Sequence, residues 1–496
     1  MIKEKFELKG ICKSFGGIKA IDDISLELHS GMVYGLAGEN GAGKSTTMKI
    51  INGAYVADKG EILIDGVPVK INSPLDAQKQ GIGMVYQELN MLPDLSVAEN
   101  IFISHLSDRK SGRIDWKDIH ERARKLLSTM EIDIDTNKKL GDLKIAHQQL
   151  IAIVRALSKD CKLVILDEPT SSLTDKDSQY VLAAVKRLKK LGYIVIYISH
   201  KLPEVLQITD EVIVFRNGKK IGSYKSDELT EDQLAELIAG RKIESKFPKE
   251  VFEKGKELLK VEHLTVPGLL NDVSFTVHQG EIFGISGLLG AGKSEVAKAL
   301  FGVYGQGNPH ATGSVFLKGK KIDLHNPHDA IANKIGLVPE NRSLEGLLTE
   351  MSIADNVFLP SLPQLSKGGW INAKQAAQLL QTKIKELEIK CDNPNNPVSS
   401  LSGGNQQKIV LAKWIAANSE IIIFDEPTRG IDVGAKVAVY NLMNQLVKNG
   451  IGVIIMSSEL EEVQNMSDVI MVLKEGREVL KYSREEATKQ NLQQSM

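Results

Sequence analysis

The feature that most constrains this chain is that the same short blocks occur in it twice, in the same order. GENGAGKST at Gly38 to Thr46 is echoed by GLLGAGKSE at Gly287 to Glu295. GMVYQ, ending at Gln87, is answered by GLVPE, ending at Glu340. LVILDEPTSSLTD (Leu163 to Asp175) returns as IIIFDEPTRGIDV (Ile421 to Val433), and IYISHKLPEV (Ile196 to Val205) as IIMSSELEEV (Ile454 to Val463). Four blocks at nearly constant offset mark a duplication, so the chain must form two domains of one fold. Its 496 residues are enough for that, each domain having its own core.

Within each half, short β-branched runs alternate with longer amphipathic patterns, the signature of an α/β domain with mostly parallel strands. Val33 to Leu36, Leu163 to Leu166 and Ile194 to Ile198 are strand candidates in the first half. Ile282 to Ile285, Ile421 to Phe424 and Val453 to Met456 are their counterparts. Helical patterns at Ile119 to Met130 and Ala373 to Ile389 lie between early and late strands and suggest an inserted helical subdomain in each half. The boundary is expected in the charged stretch GRKIESKFPKEVFEKGK, before the strand pattern ELLKVEHLTV. That gives domains over 1–241 and 257–496 with a linker over 242–256, whose roughly 15 residues would reach about 50 Å if extended.

GxxxxGK[ST] between a strand and a helix is a phosphate-binding loop. Gly38, Gly41 and Gly43, with Asn40 among them, let backbone N–H groups curl around an anion, and the next helix aims its positive end at the same place. Lys44 is expected on the β- and γ-phosphates, Ser45 on Mg²⁺, with Thr46 beside them. Gly287, Gly290, Gly292, Lys293 and Ser294 repeat the pattern. Each copy is followed by a carboxylate pair closing an apolar strand: Asp167 and Glu168, then Asp425 and Glu426. The aspartates suit a metal shell, and the glutamates can polarise an attacking water.

LSGGNQQK at Leu401 to Lys408, together with these blocks, Gln87 and His200, makes the whole chain resemble the ATP-binding-cassette family. The resemblance implies two phosphate-loop NTPase cassettes in tandem, each with a helical subdomain. It also implies that the signature of one cassette, here Ser402, Gly403 and Gly404 opening a helix over Asn405 to Ala417, caps the nucleotide held by the other. ATP then draws the cassettes together, and hydrolysis lets them part.

Aligning the halves on that family pattern exposes an asymmetry. The first has Phe15, where the family stacks an aromatic on adenine; Gln87, which can ligate Mg²⁺ and sense the γ-phosphate; and the switch residue His200. The second has no aromatic in Leu264 to Leu270, Glu340 for the glutamine and Ser458 for the histidine. Glu340 adds negative charge near phosphates unless a metal or a proton offsets it. Conversely, the first-half signature reads LKIAHQQ, with Lys144, Ile145 and Ala146 where Ser, Gly and Gly belong. Lys144 opposes the helix dipole. The expectation is one complete site, on Lys44, Gln87, Glu168 and His200 with Ser402 to Gly404, and one compromised site, on Lys293, Glu340, Glu426 and Ser458 with Lys144 to Ala146.

Two cassettes in one chain, with TRGIDVGAK (Thr428 to Lys436) and PENR (Pro339 to Arg342), resemble bacterial monosaccharide importers of the ribose, galactose and xylose type. The resemblance implies paired permease subunits and an extracytoplasmic solute-binding protein as partners, with this chain at the cytoplasmic membrane face. It also points to Glu88 to Asn100 and Asn341 to Asn356 as contact regions, through Leu89, Met91, Leu92, Leu347, Leu348 and Met351. No run approaches the roughly 20 apolar residues a spanning helix needs. MIKEKFELKG has no apolar core, so no secretory signal is expected.

An exporter ATPase subunit is the nearest alternative reading. A ribosome-acting twin cassette would carry a long charged arm and two intact signatures. The near balance of 62 basic and 63 acidic side chains argues against a nucleic-acid binder. A DNA-repair cassette ATPase would need heptads or CxxC pairs. The three cysteines, Cys12, Cys161 and Cys391, are widely spaced and read as reduced thiols.

Overall fold

The computed structural model describes residues 2, 4–16, 18–86, 89–103, 114–158, 161–171, 173–240, 246–288, 290–306, 309–429, 431 and 433–496. Gln87 and Glu88 lie outside these, so the expected roles of Gln87 in catalysis and metal binding have no structural account here. The chain divides into two compact units, Met1–Ile243 and Glu244–Met496.

In the first unit the strands are β1 (Lys5–Phe15), β2 (Ile18–His29), β3 (Val33–Gly38), β4 (Lys59–Ile64), β5 (Val67–Val69), β6 (Ile82–Val85), β7 (Leu163–Asp167), β8 (Ile194–Ile198), β9 (Glu211–Arg216) and β10 (Lys219–Lys225). They form a six-stranded sheet, β10-β9-β3-β8-β7-β6, and a four-stranded sheet, β2-β1-β4-β5. In the first sheet β9, β3, β8, β7 and β6 run parallel; only β10 is antiparallel. β3 and β8 are buried along their whole lengths, which is why they read as continuous apolar runs rather than alternating ones.

The second unit repeats this arrangement with β11 (Glu257–Val266), β12 (Leu270–His278), β13 (Ile282–Ser286), β14 (Thr312–Leu317), β15 (Lys320–Ile322), β16 (Ile335–Val338), β17 (Ser366–Lys367), β18 (Trp370–Ile371), β19 (Ile421–Asp425), β20 (Gly452–Met456), β21 (Val469–Lys474) and β22 (Arg477–Ser483). Its six-stranded order β16-β19-β20-β13-β21-β22 and its four-stranded order β12-β11-β14-β15 match the first unit strand for strand. The small hairpin β17-β18 has no counterpart among the described residues.

The antiparallel sheets were not separated from the parallel ones by sequence reading. Their strands, such as β11, mix buried and half-exposed positions, and their pairing is interrupted by register shifts. The helical subdomains are present. The first carries helices Val97–Phe102, Trp116–Thr129 and Ile145–Leu157; the second carries Ile353–Phe358, Ala373–Glu386 and Gly403–Ala416. Trp116–Thr129 buries Ile119, Ala123 and Leu127, one face at four-residue spacing. It opens three residues before the expected start because the Asp115 side chain caps it, accepting from Asp118 N–H. The signature helix likewise opens at Gly403 rather than Asn405, with Ser402 at its N-cap.

Residues 246–256, expected as linker, are fastened to the second unit. The ammonium of Lys249 is buried against Asp468 at 2.6 Å, Asn444 bonds the Pro248 carbonyl, and Phe247 packs against Tyr440 with ring centroids 5.5 Å apart. Charged residues gave the stretch its linker-like composition, but one of those charges is neutralised in the interior.

Candidate nucleotide sites

Each phosphate loop joins a buried strand, β3 or β13, to an eight-residue helix, Lys44–Ile51 or Lys293–Leu300. Gly43 and Gly292 cap these helices with φ of 99° and 104°, left-handed backbone that a side chain resists. A Cβ on Gly38 would also come within 2.4 Å of the Phe215 carbonyl oxygen. Lys44 is buried, its Nζ 2.5 Å from the Gly38 carbonyl oxygen and 3.0 Å from that of Glu39. Lys293 repeats this with Gly287 at 2.7 Å and Leu288 at 3.2 Å, and burial lowers its pKa. Both loops therefore hold an ammonium inside a ring of backbone, ready for an anion.

The two acidic strand ends are built alike. Glu168 and Glu426 adopt left-handed φ of 52° and 47°, uncommon for a non-glycine residue. Each is pinned by its own amide: Glu168 N–H donates to the Ile198 carbonyl at 2.9 Å, Glu426 N–H to the Met456 carbonyl at 2.8 Å. Burial raises the Asp167 carboxyl above the ordinary value, helped by its neighbour Glu168. Burial raises Asp425 further, to about 6, with the Ser294 hydroxyl opposing the shift. Asp425 Oδ1 is buried without a hydrogen-bond partner. A hydroxyl beside a carboxylate with a spare oxygen is the hard-oxygen donor set that Mg²⁺ takes. Among the described residues no group of three or more His, Cys, Asp or Glu could hold an ion by itself. A cation there would draw its other ligands from phosphate and water.

The units part company at the group facing each glutamate. His200 Nε2 lies 2.9 Å from Glu168 Oε1. In the second unit Ser458 Oγ donates to Glu426 Oε2 at 3.1 Å, with Ser457 Oγ at 3.5 Å and Lys293 Nζ 4.0 Å from Oε1. A serine can hold the carboxylate but cannot carry the imidazole's charge.

Arg429 forms an ion pair with Glu340 and offsets the negative charge expected there. Sequence reading missed this partner, although Arg429 was visible as the residue replacing Ser171 in the second DEPT block. It also missed Tyr55, whose ring meets Phe15 edge-on at 5.1 Å. Phe15 is 42% exposed with Lys13 Nζ 5.6 Å from its centroid, so it is an available platform. The equivalent end of β11 is Val266, fully buried.

The signature segments also differ. Ser402 sits at its N-cap without bonding the amides of its own helix, which leaves the first turn of Gly403–Ala416 open to an anion. At the same place in the first unit Lys144 is the N-cap, Ile145 is 52% exposed and Ala146 is buried.

A family model described as ABC transporter matches residues 21–171 and again 270–429. Over 98% of its length the chain is 42% identical to the ribose import ATP-binding protein RbsA of Caldanaerobacter subterraneus subsp. tengcongensis, spanning 97% of that relative. It is 42% identical over 95% of its length to RbsA of Lacticaseibacillus paracasei, spanning 94% of it. It is 41% identical over 98% of its length to the xylose import ATP-binding protein XylG of Thermoanaerobacter pseudethanolicus, spanning 97% of it. The duplicated phosphate loops, the acidic strand ends and these matches agree: the chain belongs to the ABC transporter family and is an ATPase with two ATP-binding cassettes in tandem.

Proposed function

We propose that this chain powers the import of a monosaccharide or a related small polar solute, docked at the cytoplasmic face of the cell membrane beneath permease subunits that receive the solute from an extracytoplasmic binding protein. The near-full-length identity to sugar import ATP-binding proteins supports the direction and solute class. Among the described residues no helix is long and apolar enough to cross a membrane, so the passage for the solute is assigned to partners.

The observation that carries the mechanism is the contact of His200 with Glu168, against serines on Glu426. In the first site Lys44 takes the β- and γ-phosphates, with Phe15 under the adenine. Ser45, Gln87 and Asp167 in the first site, and Ser294 and Asp425 in the second, would hold Mg²⁺, which would neutralise phosphate charge. Glu168 polarises the attacking water, and His200 orients that carboxylate and meets the γ-phosphate. Ser402, Gly403 and Gly404 cap this nucleotide, so ATP closes the cassettes and hydrolysis reopens them. The second site, on Lys293 and Glu426, binds nucleotide and turns it over slowly or not at all.

The permease contact is assigned to the loops after β6 and β16. Asn100 and Asn356, both buried, clamp these loops by bonding both backbone groups of Leu92 and of Leu348. Leu92, Leu348 and Met351 are exposed, whereas Leu347 packs in the core and leaves the contact set. Beside the first loop lies a groove of about 330 Å³ lined by Leu75, Tyr86, Leu89, Met91 and Arg155. In vesicles carrying the chain with its permease, sugar-loaded binding protein should stimulate phosphate release. Stimulation only by solute on the ATPase side would replace import by export.

A further inference from the structure

The ion pair between Glu340 and Arg429 is a coordinated difference between the units. Counted from the strand ends, Glu340 stands where the first unit has Gln87, and Arg429 stands where it has Ser171. One half gained a carboxylate and a guanidinium at two places far apart in sequence, and the fold brings the two together. Without the arginine, Glu340 would add an unbalanced carboxylate to Asp425 and Glu426, where Lys293 Nζ lies 4.0 Å from Glu426. With it, the two replacements cancel in formal charge, Glu340 against Arg429.

We propose that Arg429 is a charge-balancing positioning residue of the second nucleotide site: by pairing with Glu340 it lets that site keep a nucleoside triphosphate although a carboxylate occupies the glutamine's place. This rests on the reading that the second site binds nucleotide. The pair explains how the site can lose the apparatus of turnover and still hold its ligand. Glu340 cannot offer the amide donor that a glutamine would turn toward a phosphate, because an ionised carboxylate only accepts. Arg429 removes the repulsion that this substitution would otherwise create, and it ties the loop after β16 to the bend after β19.

The test is a double-mutant cycle in the full chain, with Lys44→Ala blocking the first site so that binding reports the second. The readout is displacement of a fluorescent trinitrophenyl-ATP by Mg-ATP. Because the pair is partly exposed, the expected effects are moderate. Arg429→Ser weakens Mg-ATP binding roughly tenfold. Glu340→Gln tightens it by about twofold to fivefold. The double variant, which recreates the first unit's composition, returns to within about threefold of the parent. Thermal melts of all four chains should coincide within about 2 °C, since an exposed pair adds little to stability. Unchanged affinity in Arg429→Ser overturns the proposal. So does a double variant as weak as Arg429→Ser, since the arginine would then act on something other than Glu340. If the Lys44→Ala parent binds nothing while Lys293→Ala binds normally, the reading beneath it falls, and the proposal with it.

Discussion

The two units share the strand orders of their six-stranded and four-stranded sheets, yet they differ at the group that faces the pinned glutamate: an imidazole in the first, hydroxyls in the second. Duplication preserved what the backbone needs, including the left-handed bend at Glu168 and Glu426 and the amide bond that secures it. The group facing the glutamate is what differs. The lesson is that backbone conformation and chemistry can separate: the bend is retained in a unit that lacks the histidine, so it is part of how this fold ends β7 and β19.

The largest test of that division is at the glutamates themselves. Glu168→Gln should lower steady-state phosphate release by about 100-fold or more, the range for losing a positioned general base. On the proposed division of labour, Glu426→Gln should lower it by less than about threefold. The opposite ranking would reverse the assignment of the two sites.

Next in size is the facing group. His200→Ser gives the first unit the second unit's pairing, and turnover should fall about tenfold to 100-fold with nucleotide affinity nearly kept. Ser458→His should restore nothing, since Glu340 and the Lys144–Ala146 segment remain. A gain in turnover from Ser458→His alone would show that the histidine is the whole of the difference.

What could be read from sequence follows from how local each feature is. Phosphate loops and strand-end carboxylates need particular residues at fixed spacing, so Gly43, Lys44 and Asp167 stand out as candidates in the sequence. Glu340 with Arg429, Phe15 with Tyr55, and Lys249 with Asp468 are contacts between distant segments, and composition carries no record of them. The stretch 246–256 shows the cost of judging by charge alone, since Phe247 and Phe252 pack on the second core.

A third contrast lies beneath the acidic bends and should appear as pH-dependent stability. Glu204 accepts hydrogen bonds from Thr170 at 2.6 Å and Tyr197 at 3.0 Å, and Lys201 is 3.2 Å away. Its counterpart Glu462 is fully buried, and burial raises its pKa to about 7, with the Ser457 and Thr428 hydroxyls opposing the shift. Between about pH 4.5 and 7 the folded chain keeps this proton while the unfolded chain loses it. This contribution is therefore present at low pH and declines as pH rises to 7. Glu462→Gln removes the decline, so its Tm should gain on the parent's from pH 5 to pH 8, for a change on the order of 3 kcal/mol at most. Glu204→Gln should instead lower Tm at neutral pH by losing its bonds. A parallel pair of melting curves for Glu462→Gln and parent across that range would show that the carboxyl is already ionised at pH 5.

The smallest effect should come from the proposed adenine platform. Phe15 is half-exposed, and a ring in that position is held only by its neighbours: Tyr55 edge-on, Lys13 above, and Asp58 fixing Lys13 at 2.7 Å. Aromatic pairs of this geometry contribute about 0.5–1.5 kcal/mol. Tyr55→Ala should therefore raise KM for ATP by about threefold to tenfold and leave kcat unchanged, since the ring touches no reacting atom. Tyr55→Phe, which keeps the edge contact, should restore the parent KM. Tyr304 stands at the matching place in the second unit but has only Val266 at the corresponding strand end. Tyr304→Ala should leave the KM of turnover unmoved, and a shift as large as that of Tyr55→Ala would mean that both adenine pockets feed the same catalytic cycle.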